Sequence, residues 1–207
     1  VSRADNDCRW EYDNFEWNLE YRMSTLELKE LSHPAGEVIK IAAGKTLDLK
    51  SQGSVTMPTG SVLQVVSSSL NTVVTSSVSW GDVGLSVTIT PSSTSSKIFV
   101  MMDIGSLSHT ATSAKDIGVR MVRGSTAIGV GGSAGTNWSA GTGNHSSEAG
   151  YWNQVSASVL DTPSTTSSIT YKVQGWTNTG TWSINTRGST TSDKVTHSTI
   201  TLMEIQG

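Results

Sequence analysis

Residues 84–104 read GLSVTITPSSTSSKIFVMMDI. In the first half, Leu85, Val87 and Ile89 alternate with Ser86 and Thr88, the two-residue period of a strand with one buried face. Pro91 stops that strand, because proline brings no amide hydrogen to a ladder. The second half, SKIFVMMDI, is a continuous apolar run and predicts a strand covered on both faces. Outward from this stretch the pattern continues without a helix. Val62, Leu63, Val65 and Val66 open it, and DIGVRMVRG sets Ile117, Val119 and Met121 against Gly118, Arg120 and Val122. SITYKVQGW sets Ile169, Tyr171 and Val173 against Thr170, Lys172 and Gln174, and TWSINT and STITLMEI come after it. Strands at this spacing, parted by Ser/Thr/Gly/Asn clusters, predict an all-β, antiparallel sandwich or barrel over residues 61–207.

The composition of the 207 residues agrees. Charged residues are 15%, against about a quarter in an average domain. Serine and threonine take their place. With a net charge of -3 and abundant β-branched residues, wholesale disorder is excluded. No run reaches the length of a membrane helix, so no membrane insertion is expected. A pI near 5.8 without a Lys/Arg cluster argues against nucleic acid as the main partner. The single cysteine, Cys8, excludes a disulfide framework and a Cys-based zinc site. The fold must be held by packing, by oligomerisation, or by both.

Charge and aromatics are skewed towards the start. Residues 1–31 hold eight acids and four bases, leaving nine acids and ten bases for the rest. Trp10, Tyr12, Phe15, Trp17 and Tyr21 are five of the thirteen aromatics. The shift ends at the turn signal SHPAG, which separates an attachment or extension segment, residues 1–35, from the remainder of the chain. Within it, Phe15, Trp17, Leu19, Tyr21 and Met23 alternate with polar residues as a half-buried strand does. Residues 1–22 are either a native element or an extension upstream of a start at Met23, and no basic segment leads into an apolar one as in a signal peptide. Residues 36–60 read as short stalk strands, with Val38, Ile41, Leu47, Leu49, Val55 and Met57 set off by Gly44, Gly53 and Pro58. Such strands cannot bury their apolar faces alone. Three chains side by side share one core, or the stretch packs on the head as a strand-rich linker.

Residue patterns that carry chemistry are few. GGSAG, residues 131–135, fits a nucleophile elbow around Ser133, but a loop rather than a helix comes next, so no catalytic role is expected. His33, His109, His145 and His197 are scattered singly and read as solvated or hydrogen-bonded loop residues. No catalytic residue, metal site or cofactor is expected, and the protein does not read as an enzyme. The most informative stretch is the long Gly/Ser/Asn loop from Gly129 to Trp152. Long loops on a rigid β scaffold commonly carry function. There Trp138, with Asn137, Asn144 and His145 nearby, suits sugar recognition: a flat ring for the apolar face and polar groups for hydroxyls. The other reading of Trp138 is a packing residue. Tyr151 and Trp152 read as the start of the next strand, and Trp80 and Trp182 as packing residues near strand ends.

Taken together, MPTGSVLQVV, GLSVTITPSSTSSKIFV, VRMVRGSTAIG, SITYKVQGW and STITLMEIQG resemble the distal domains of bacteriophage tail-fibre and virion appendage proteins, particularly those of marine phages. IKIAAGKTLDLKSQGSVTMPTG resembles their β-stalk segments and MSTLELKEL their usual opening. The resemblance covers residues 23–207. It implies a jelly-roll-like β-sandwich head on a homotrimeric stalk, a virion structural protein assembled in the host cytoplasm with other tail or capsid proteins. Host contact with a cell-surface glycan or protein is the function it implies. A capsid- or tail-decorating protein without receptor contact, and a free carbohydrate-binding module, are the alternatives.

Overall fold

The computed structural model describes residues 43–45, 57–77, 80–110, 115–131, 141–146, 152–186 and 195–207. The chain divides into two compact units, Val1–Gly53 and Ser54–Gly207. In the first, Gly44 (φ 74°) sits in an exposed turn.

The second unit is all-β among the described residues. Its strands are β1 (Val62–Leu70), β2 (Val74–Ser76), β3 (Gly81–Ile89), β4 (Lys97–His109), β5 (Lys115–Arg123), β6 (Thr126–Ile128), β7 (Thr142–Ser146), β8 (Trp152–Asp161), β9 (Ile169–Thr177), β10 (Trp182–Ile184) and β11 (Ser198–Ile205). They form two antiparallel sheets in a sandwich-like arrangement. In the six-stranded sheet, β4 lies against β8 on one edge. Its other edge is shared by β11, along Lys97–Asp103, and β10, along Leu107–His109. β1 then flanks β11, and β2 flanks β10. The five-stranded sheet runs β3-β9-β5, with β6 and β7 dividing the far edge of β5.

The core is the product of the two-residue period. Val83, Leu85 and Ile89 of β3, Ile117, Val119 and Met121 of β5, and Tyr171 and Val173 of β9 are buried from one sheet. Ile98, Val100, Met102 and Ile104 of β4, Ile200 and Leu202 of β11, and Trp182 and Ile184 of β10 meet them from the other. Each such side chain contributes about 1.5–3 kcal/mol on full burial.

Three sequence expectations need correction. The apolar run of β4 is not covered on both faces: Phe99 and Asp103 are half-buried and Met101 is 41% exposed, between inward residues at 0%. An antiparallel sandwich covers one face of each sheet, and the parallel-sheet reading of a continuous run does not transfer. The stretch from Gly129 to Trp152 is not one loop, because β7 pairs Thr142–Ser146 with β5. Its sequence TGNHS has no apolar alternation; the strand exists because β5 leaves ladder groups for it to satisfy. Gly143 fits there since a β-carbon would run into the Ile117 carbonyl oxygen. Lastly, His109 is no loop histidine. It ends β4, fully buried and in register with Trp182.

Two buried polar groups organise the connections. Glu204 follows Ile200 and Leu202 on the inward face of β11. Its carboxylate accepts hydrogen bonds from Ser92 N, Ser92 Oγ and Ser96 Oγ, each 2.6 Å, and from Gln64 Nε2 at 2.5 Å. It thereby fixes the crossover from β3 in one sheet to β4 in the other. Burial pushes this carboxyl upward, but the donors on Ser92, Ser96 and Gln64 prevail and hold its pKa below the ordinary value. At the opposite end of β11, Asn185 (φ 60°) donates Nδ2 to the carbonyls of Leu70 and Thr72 and accepts from Ser198 Oγ at 2.6 Å. Asparagine tolerates the left-handed region that this junction needs.

Candidate functional site

Along β9, Lys172, Gln174 and Trp176 occupy alternate positions between the inward-facing Tyr171, Val173 and Gly175. The register sets Gln174 between Asp82 of β3 and Arg120 of β5. These three residues make a row across the outer face of the five-stranded sheet. Arg120 donates Nε (3.0 Å) and Nη2 (2.8 Å) to Gln174 Oε1. Gln174 in turn donates Nε2 to Asp82 Oδ1 at 2.8 Å. Lys172 Nζ donates to Asp82 Oδ2 at 2.8 Å. Those bonds, the one from Lys172 foremost and then that from Gln174, hold the Asp82 carboxyl below its usual pKa.

Two indoles join the row. Trp80 enters β3 from a left-handed backbone conformation, φ 53°, which costs a bulky residue strain. Its ring stacks on Trp176, with centroids 6.0 Å apart and planes 22° from parallel. The Arg120 guanidinium carbon lies 4.0 Å from the Trp80 ring centroid, a cation–π contact of about 0.5–2 kcal/mol. Burial lowers the pKa of Arg120, and the group keeps its charge at any physiological pH. Trp176 is nearly covered while Trp80 and Arg120 are half-buried.

The result is a rigid, strand-borne surface with a half-open indole, a guanidinium, an ammonium, a carboxylate and an amide held on one face. Such a surface suits a ligand with alternating polar and apolar faces. Among the described residues, no group of three or more His, Cys, Asp or Glu side chains is placed to hold a metal ion.

The residues singled out from sequence fall differently. Trp138, Asn137 and Ser133 lie outside the described residues, as do Val38, Ile41, Leu47, Leu49 and Val55. Asn144 and His145 belong to β7, where they pair with Ile117 and Asp116. Met57 is 41% exposed. Alternation sets Arg120, Lys172 and Gln174 on the outward side of their strands but does not join them to a site. The signal for them was the tryptophan at the end of each strand's polar series, Trp176 after Gln174 and Trp80 before Asp82. Trp182 is fully buried, as its reading as a packing residue required.

No protein-family model matches the chain, and the search of curated proteins finds no match either.

Proposed function

We propose that this chain is a virion structural protein, a subunit of a bacteriophage tail fibre or appendage whose head binds a glycan on the host surface. In this reading the sandwich is a jelly-roll-like head, and the segment over residues 36–60 is a homotrimeric stalk built on Val38, Ile41, Leu47, Leu49, Val55 and Met57. The chain acts by binding and does no covalent chemistry. The lone Cys8 suits assembly in a reducing host cytoplasm.

The observation that carries the binding role is the Trp80–Arg120–Gln174–Asp82 surface. Trp80 keeps a half-open ring on a strained backbone, and strain of this kind clusters where a surface must present a group to a ligand. An indole beside fixed donors and acceptors is the arrangement that sugars reward, through stacking on the ring and hydrogen bonds to hydroxyls. Of the quoted strings, VRMVRGSTAIG covers residues 119–123 of β5, the turn and β6, and STITLMEIQG covers β11 and residues 206–207.

The test applies the purified full chain to an array of bacterial surface polysaccharides. Retention that is lost in Trp80→Ala and Arg120→Ala supports the proposal. Retention that survives both and disappears in Trp138→Ala moves the contact to the segment around Trp138. An absence of retention on every glycan, with labelled virions showing the protein away from the tail tip, turns the reading into a decorating protein.

A further inference from the structure

The charges on the outer face of the five-stranded sheet are unequally matched. Lys172 pairs with Asp82 at 2.8 Å. Asp82 also accepts from Gln174 Nε2, which turns the amide oxygen of Gln174 towards Arg120. Arg120 is therefore held by a neutral acceptor and by the Trp80 ring, and neither carries a counter-charge. Asp82 stands on the far side of Gln174, two strand spacings or about 10 Å from Arg120 along the row. The one other carboxylate on the described strands of this sheet, Asp116, is four residues back along β5, about 13 Å away. A glutamate at position 174 would neutralise Arg120 within the fold. The chain has an amide there instead.

A guanidinium carries five N–H donors in a rigid fork. Gln174 Oε1 takes two of them along one side, from Nε and Nη2. The end of the fork, Nη1 with the second hydrogen of Nη2, donates to none of the described residues. Its two parallel N–H bonds match two oxygens of one carboxylate or sulfate. We propose that the glycan bound at this surface is acidic, and that the end of the Arg120 fork receives its carboxylate or sulfate group. This deepens the glycan reading and rests on it. Half-burying a cation without an opposite charge is unfavourable, and an anionic ligand supplies what the fold withholds. The Trp80 ring centroid, 4.0 Å from the guanidinium carbon, places an apolar surface within reach of the same sugar residue. Gln174 and Asp82 act as positioning residues: the bond between them fixes which end of the amide holds the fork.

Calorimetric titration of the full chain with paired polysaccharides tests this, each acidic bacterial glycan beside its carboxyl-reduced or desulfated form. Removing the anion should weaken binding about thirtyfold, which is about 2 kcal/mol and the scale of a hydrogen bond to a charged group. The treatment that does so identifies the group as carboxylate or sulfate. Arg120→Gln should bind both forms alike, and Arg120→Lys, which keeps the charge without the fork, should recover only part of the preference. Equal wild-type affinity for a glycan and its neutralised form overturns this inference and leaves the glycan reading standing. Retention of no glycan overturns both. A preference undiminished in Arg120→Gln overturns the role of Arg120. Poly-glutamate bound as tightly as the acidic glycan makes the ligand an acidic peptide and overturns the inference as well. If Arg120→Gln fails to fold, the wild-type pairs and Arg120→Lys decide.

Discussion

Gly175 of β9 and Trp182 of β10 face each other across the sandwich with no room between them. A β-carbon at residue 175 would lie 2.9 Å from Trp182 Cδ2 and 3.0 Å from Cε2 and Cε3. The indole is the largest fully buried side chain of the core, and the glycine is the notch that admits it. Gly175→Ala forces the ring or β9 to shift, an overpacking cost of about 1–3 kcal/mol. Urea denaturation should show that loss as a lower midpoint with an unchanged slope. A variant as stable as the wild type would mean that the indole has space to move into.

Glu204 makes stability depend on acid. Its folded pKa lies below the ordinary 4.5, so its ionised form is favoured by folding. The contribution is present above pH 4.5 and is lost as pH falls through the lower folded value. Glu204→Gln removes the charge and sets an amide donor against either the serine donors at Oε1 or the Gln64 amide at Oε2, at a cost of about 2–3 kcal/mol at neutral pH. Thermal melts from pH 7 down to pH 3 should converge for the two proteins. Curves that stay parallel throughout would assign the acid sensitivity elsewhere.

Tyr171 supplies the alkaline counterpart. Burial, and next its hydrogen bond of 2.7 Å to Asp161 Oδ2, push its phenol above the ordinary value of 10. Arg123 Nη1 reaches the same carboxylate at 2.8 Å and 2.9 Å, so one aspartate on β8 ties down two strands of the facing sheet. A raised folded pKa gives stability that is full below pH 10 and fades as pH climbs towards the folded value. Tyr171→Phe should cost about 1.5 kcal/mol at pH 7 and flatten the alkaline limb of the unfolding curve. An unchanged alkaline limb would exclude Tyr171 as its origin.

Trp80→Ala separates ligand contact from architecture. The residue is half-buried and strained, so removing its ring relieves the left-handed backbone less than a glycine would and costs the stack on Trp176. A melting shift of a few degrees is expected, on the order of 1 kcal/mol. Glycan affinity should fall about thirtyfold, the scale of a tryptophan anchor. Calorimetric titration with a glycan that the wild type retains measures it. Equal affinity in the two proteins would leave Trp80 as a packing residue only.

Which residues point inward was legible from the chain alone. Leu85, Val87 and Ile89, or Ile117, Val119 and Met121, announce their strands and their buried sides because side-chain alternation is local to a few residues. The outward placement of Arg120, Lys172 and Gln174 came from the same alternation. Which residues lie side by side was decided by tertiary structure. Arg120 meets Gln174 across 54 residues, and Gln174 meets Asp82 across 92. Glu204 in the phase of a core residue looks misplaced until Ser92, Ser96 and Gln64 close on it. β7 has no pattern of its own and forms on the edge that β5 offers. Val65, Met203, Phe99 and Leu160, side by side in the six-stranded sheet, likewise come from no one short window. Strand pairing is non-local: alternation chooses the face of each strand, and only the register of the assembled sheets chooses the neighbours.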